Sequence, residues 1–169
     1  MTQPSRPLVY SDVDIKRILL GVRTIAMVGA SANWVRPSNF AMKYLQGKGY
    51  RIIPINPGAA GKVIHEETCY ASIRDVPDQV DMVDIFRSSP AAAGIIDEVI
   101  SVASDKGIRV VWMQLGVRND EAASRGEAAG LEVIMDRCPK IEFGRLFGEL
   151  GWSGVNSGII SSKRRKYAS

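Results

Sequence analysis

Residues able to hold an anion recur at five places along this chain, each directly after a short apolar run. Gly29-Ala30-Ser31 follows Thr24–Val28, Asn56-Pro57 follows Arg51–Ile55, and Arg87-Ser88-Ser89 follows the run ending at Phe86. Gln114-Leu115-Gly116 and Asp136-Arg137-Cys138 follow the fourth and fifth runs. Small residues, hydroxyls, amides and arginines with few acids suit a phosphate-bearing ligand, because a guanidinium fork matches phosphate oxygens in pairs. Gly29 permits a tight turn, Ser31 adds a hydroxyl, and Arg36 stands just before a helix whose N-terminus favours negative charge.

These groups converge only if the apolar runs are parallel strands, and the pattern between them says so. Thr24–Val28, Arg51–Ile55, Val80–Phe86, Ile108–Met113 and Leu131–Met135 read as buried strands. Helical stretches alternate with them. One is capped at Ser11 and stopped at Gly21; one starts at Pro37 with Phe40, Tyr44 and Leu45 as its apolar face. A third is capped at Ser89 and buries Ile96, Val99, Ile100 and Ala103; a fourth runs from Asn119 to Gly130, and a fifth carries Ile141 to Leu150. Asn56–Tyr70 is an irregular excursion, and Met1–Tyr10 a loose lead-in. The order predicts a Rossmann-like, doubly wound α/β fold: a mainly parallel five-stranded sheet with helices on both faces. Its strand ends form the crevice where such sheets bind ligands. One domain is expected over residues 11–150, followed by a flexible basic tail over 151–169.

Composition narrows the partners. The chain has 22 basic and 18 acidic residues; removing Lys163–Lys166 leaves 18 against 18, so the bulk charge does not argue for nucleic acid. No run approaches the length of a membrane span, and two well-separated cysteines make no disulfide framework, so a cytoplasmic protein is expected. A single histidine, His65, offers neither a metal cluster nor the centre of a triad. No catalytic constellation emerges.

The first turn lacks the dinucleotide fingerprint, since no glycine follows Gly29 before Gly47. The second strand ends in Asn56-Pro57 rather than in an acid that would hold a ribose diol. An adenosine with a phosphorylated ribose fits better than NAD, and both NADP and coenzyme A satisfy that description. Asp136 and Arg137 suggest an internal ion pair. Cys138 stands beside Arg137 and Lys140, where a thiol-bearing ligand could form a mixed disulfide.

Taken in order, six segments carry a family likeness. They are Gly29-Ala30-Ser31, Arg36-Pro37-Ser38, Ile55-Asn56-Pro57, Val83-Asp84-Ile85-Phe86-Arg87, Val111-Trp112-Met113-Gln114-Leu115-Gly116 and Met135-Asp136-Arg137-Cys138-Pro139-Lys140-Ile141-Glu142. Together they resemble the small stand-alone CoA-binding domain proteins, themselves similar to the N-terminal domain of the succinyl-CoA synthetase α subunit. The likeness runs from Ile15 to Phe147 and departs from the usual pattern at Pro139 and Phe143. It implies a fold that binds coenzyme A or an acyl-CoA. Gly29, Ser31, Arg36, Asn56, Pro57 and Arg87, with Ala30 and Ser88 beside them, would meet the nucleotide and phosphates. Gln114, Gly116 and Cys138 would lie toward the pantetheine. The synthetase's phosphorylated histidine and nucleotide-binding subunit have no counterpart in these 169 residues, so the resemblance implies binding without acyl-CoA synthesis. Two other readings stay open: an NADP-dependent oxidoreductase, and a CoA-binding subunit completed by a partner chain. A homo-oligomer or other protein partner is compatible with each.

Overall fold

The structure, a computed structural model, describes residues 6–148. The expected tail over 151–169 lies outside the described residues, as does Leu150.

Five parallel strands form the sheet: β1 Thr24–Val28, β2 Arg51–Ile55, β5 Met82–Ile85, β6 Val110–Met113 and β7 Glu132–Ile134. Their order is β2-β1-β5-β6-β7. The strand order therefore reverses between β1 and β5, the switch point at which open sheets leave a ligand crevice. A two-stranded hairpin, β3 Val63–Ile64 and β4 Glu67–Thr68, fills the excursion after β2.

Both faces are covered, so the strands are apolar on both sides and alternate in destination. Ile25, Met27, Ile52, Met82 and Trp112 join one core with α1 Asp12–Gly21, α2 Pro37–Gly47 and α5 Pro139–Leu146. Ala26, Ile53, Val83, Ile85 and Val111 join the other, under α3 Ser89–Lys106 and α4 Asp120–Ala128.

Three local readings of the sequence change. The buried face of α2 is Ala41, Met42 and Leu45 with Ser38 and Asn39, while Phe40 is 51% exposed. The fifth helix packs against that side, and its Phe143 takes Tyr44 edge-on, so Phe40 is left at the rim. Ser88, not Ser89, caps α3, accepting from the Ala91 amide; Ser89 Oγ instead accepts from the Arg118 amide at 3.0 Å. That helix buries Ala92, Ile96, Val99 and Val102, with Ile100 and Ala103 only partly covered.

Residues 6–10 are not loose. Arg137 donates to the Leu8 carbonyl and Arg118 to that of Arg6, while the Met135 amide donates to Tyr10 Oη at 2.9 Å. Arg6 also pairs with Glu127 at 2.8 Å. The segment runs past the end of the edge strand β7, where Tyr10 satisfies the Met135 amide.

Candidate site at the switch point

Gly29 makes the crevice possible. Its φ is +90°, and a Cβ there would stand 2.3 Å from the Phe86 carbonyl oxygen and 3.0 Å from Arg87 Cδ. The turn after β1 thus presses directly against the end of β5, which only glycine allows. The amides of Gly29 and Ala30 both donate to the Ile55 carbonyl, at 2.9 and 3.3 Å. They stitch the turn to β2. Ser31 Oγ accepts from the Asn33 amide at 3.1 Å, which leaves its hydroxyl proton to donate.

Asn56 is engaged at both ends of its amide. Its Nδ2 donates to the Ala30 carbonyl at 2.8 Å and its Oδ1 accepts from the Gly58 amide at 2.9 Å. It positions the two loops against each other and keeps one N–H and one lone pair of its amide beyond these bonds. Cys69 lies under the same loop, its Sγ 3.6 Å from the Asn56 carbonyl, and burial raises its thiol pKa.

Two cavities flank this turn. The first, about 300 Å³, lies between the ends of β1 and β2 and the side of α3. Val28, Ile55, Pro57 and Ile73 give it apolar walls; Ala91 and Gly94 keep its α3 side low. Ser72, Arg87 and Glu98 are its polar lining. The second, an open cleft of about 520 Å³, is lined by Pro37, Phe86, Arg87, Ser88, Gln114, Leu115 and Val117. Arg87 borders both.

The arginines here differ from those elsewhere. Arg17, Arg51, Arg118, Arg125 and Arg145 each pair with a carboxylate. Neither Arg36 nor Arg87 has a hydrogen-bond or ion-pair partner for its side chain among the described residues, and both are exposed. Gln114 adds a complementary vacancy. Its Oε1 is buried without a hydrogen-bond partner, an acceptor in the wall of the second cavity. A buried acceptor left so costs about 1–3 kcal/mol, which a ligand N–H would relieve.

The strand ends expected to contribute do so unequally. Gly29, Pro57, Arg87, Ser88 and Gln114 line the cavities, and Ala30, Ser31, Arg36 and Asn56 build or border the first turn. Gly116, at φ +84°, donates its amide to Asp136 Oδ1 at 2.7 Å. Asp136 therefore holds the fourth loop and is not an ion-pair partner of Arg137, which donates instead to the Asp136 and Leu8 carbonyls. Cys138 is 7% exposed at the start of α5 and lines neither cavity. His65 Nε2 sits 2.8 Å from Asn39 Oδ1, tying the hairpin to α2. Tyr44 and Lys48 have the Tyr-x-x-x-Lys spacing of a hydride-transfer proton donor. The Lys48 ammonium lies over the Tyr44 ring at 5.2 Å, and neither residue lines either of these two cavities. Among the described residues no group of His, Cys, Asp or Glu is arranged to hold a metal, and no helix is long and apolar enough to cross a membrane.

Sequence reading missed the walls of the first cavity, which come from Ala71–Ile73 and from Ala91, Gly94, Ile95 and Glu98. The α3 set repeats at helical spacing, so the signal was present as one face of small residues ending in an acid.

Comparison with known proteins places this geometry. Protein YneT of Bacillus subtilis is 34% identical over 134 residues, covering 78% of this chain and 93% of that protein. The ADP-forming acetate–CoA ligase II of Archaeoglobus fulgidus is 36% identical over 95 residues, which are 55% of this chain and 13% of the ligase. The solved structure of a hypothetical protein from Pyrococcus horikoshii superposes with a TM-score of 0.76 at 35% identity, covering 87% of this chain and all of that one. Residues 23–144, which contain the whole sheet and both cavities, match the model of the CoA binding domain, and the chain belongs to that family.

Proposed function

We propose that the protein binds coenzyme A, free or acylated, across the switch point, and that this binding is its function without a bond-making step of its own. The observation that carries the reading is the pair of arginines without side-chain partners among the described residues: Arg87, packed against the turn that Gly29 opens, and Arg36, at the α2 cap where that turn ends. The diphosphate lies there, with the Ser31 hydroxyl donating to it. The adenosine occupies the apolar 300 Å³ cavity and the pantetheine arm the open cleft, where the Gln114 acceptor takes an amide N–H. Membership of a CoA-binding family and a matched segment within an acetate–CoA ligase support the ligand class.

Thermal unfolding with CoA, acetyl-CoA, NADP or NAD tests it. A ligand at 100 times its dissociation constant adds about 2.7 kcal/mol. For a chain of this size that raises Tm by roughly 5–10 °C. The shift is expected with CoA and acetyl-CoA. A shift with NADP alone would replace the reading with an oxidoreductase, and no shift with any would leave the family fold without its ligand.

A further inference from the structure

The first cavity contains a group that binding a polyanion does not explain. Glu98 lines it, although a carboxylate repels phosphate. Arg87 borders the same cavity near the start of α3, and Glu98 lies ten residues after the Ser88 cap. From Ala91 to Glu98 the helix rises about 10 Å, so the cavity is cationic at one end and carboxylate-bearing at the other. A nucleotide whose phosphates meet Arg87 extends its base toward Glu98. Gly94 lies between them, and a Cβ built on it meets nothing within 4 Å, which leaves room for a flat ring against the helix.

One carboxylate oxygen is already used: Glu98 Oε1 accepts from the Arg74 amide at 3.3 Å, which anchors the side chain. The second has no hydrogen-bond partner among the described residues. An ionised carboxylate only accepts hydrogen bonds. Adenine presents an exocyclic amine as donor at its 6-position, whereas a 6-oxopurine presents a carbonyl, a second acceptor facing the first. We propose that Glu98 is the base-reading residue of this site: its free oxygen accepts from the 6-amino group of adenine and so selects adenine over hypoxanthine or guanine. The assignment rests on the coenzyme A reading above and adds to it a determinant of specificity.

The test is the ratio of two dissociation constants, for adenosine 3′,5′-bisphosphate and inosine 3′,5′-bisphosphate, measured by calorimetry with CoA as reference. A hydrogen bond to a charged group corresponds to about a tenfold to hundredfold preference for the adenine compound in the native protein. Glu98→Gln keeps the side-chain length and can present either an oxygen or an N–H, so the ratio should fall below about threefold, inosine binding gaining most. The ratio also removes the general gain in anion affinity that loss of one negative charge brings. Gly94→Leu fills the cavity from an open helix surface and should weaken both compounds alike, which reports that the base is read in this cavity. A native ratio near one, or a ratio unchanged in Glu98→Gln, overturns the assignment while leaving coenzyme A binding intact. Failure of CoA itself to bind overturns the coenzyme A reading and the assignment with it.

Discussion

Asp84 is the least comfortable residue in the sheet, and its discomfort is measurable. It sits in the middle strand, β5, with Met27 and Trp112 as its register neighbours on β1 and β6. It is 0% exposed, and neither carboxyl oxygen has a hydrogen-bond partner. Burial with no compensating charge pushes its pKa well above the usual carboxylate range. The unfolded chain ionises this group near pH 3.9, at about its model-peptide value. Above that pH the folded protein holds one proton more than the unfolded chain. Stability therefore falls as pH rises, by about 1.4 kcal/mol per unit, until the folded carboxyl also ionises. Stability from this group is complete in acid and is lost upward through the folded value. That is opposite in sign to Asp14, Asp120 and Glu132, whose carboxyls are held low by hydrogen bonds, from Ser11, Arg118 and Arg17 respectively, and lose their contribution as pH falls. Asp84→Asn keeps the shape and removes the proton. The paired carboxylates are common to both proteins, so the difference between the two profiles isolates Asp84. Relative to the native protein, the variant should gain about 3–5 °C in Tm for each pH unit above 4 over which the native carboxyl stays protonated. Calorimetric scans from pH 4 to 8 measure it. Parallel profiles across that range would refute the argument, because they would mean that Asp84 has a partner or an unshifted pKa.

Other perturbations separate the turn, its cations and the lead-in. Gly29→Ala forces a positive φ on alanine and sets its Cβ against the Phe86 carbonyl oxygen, which is backbone and cannot swing away. It should cost about 2–4 kcal/mol of stability, read from the urea midpoint, and abolish CoA binding. Arg36→Ala and Arg87→Ala should each weaken CoA about tenfold to hundredfold. Having no partners to lose among the described residues, they should leave the Tm of the free protein within about 1 °C. Tyr10→Phe strands the Met135 amide at the edge of β7 and should lower stability by about 1–3 kcal/mol with the urea slope unchanged.

The sheet was legible because each strand is an apolar run of the right length between turn residues, and β1 and β2 fall where the sequence puts them. What failed depends on partners distant in sequence. Phe40 reads as core on a helical wheel, but α5 decides which side of α2 is covered. Ser88 and Ser89 are equivalent as caps until Arg118 takes one of them. The part of Asn56 in joining the two loops, through Ala30 and Gly58, was likewise not readable from its type. The lead-in has no periodicity at all; the placement of its residues 6–10 comes from Arg118 and Arg137, more than 100 residues away. Residue type marked Arg36, Arg87, Arg118 and Arg137 alike as cations; that the last two are taken by Asp120 and by the Arg6 and Leu8 carbonyls depends on the folded chain. The cavity walls on α3 were hidden, since a helix face acquires a role only when β2 and the loop at Ala71–Ile73 stand opposite it.

The arrangement restricts the ligand by sequence of chemistry along one path. At one end is a carboxylate oxygen that accepts, in the middle are two guanidinium groups and a hydroxyl that donate, and at the other end is a buried amide oxygen that accepts. On the proposed path a ligand would donate, carry negative charge, and donate again, in that order. A free phosphate satisfies only the middle, and a mononucleotide only the first two. A nucleotide diphosphate with an amide-bearing arm satisfies all three, and the open shape of the second cleft suits a long flexible arm better than a second flat ring.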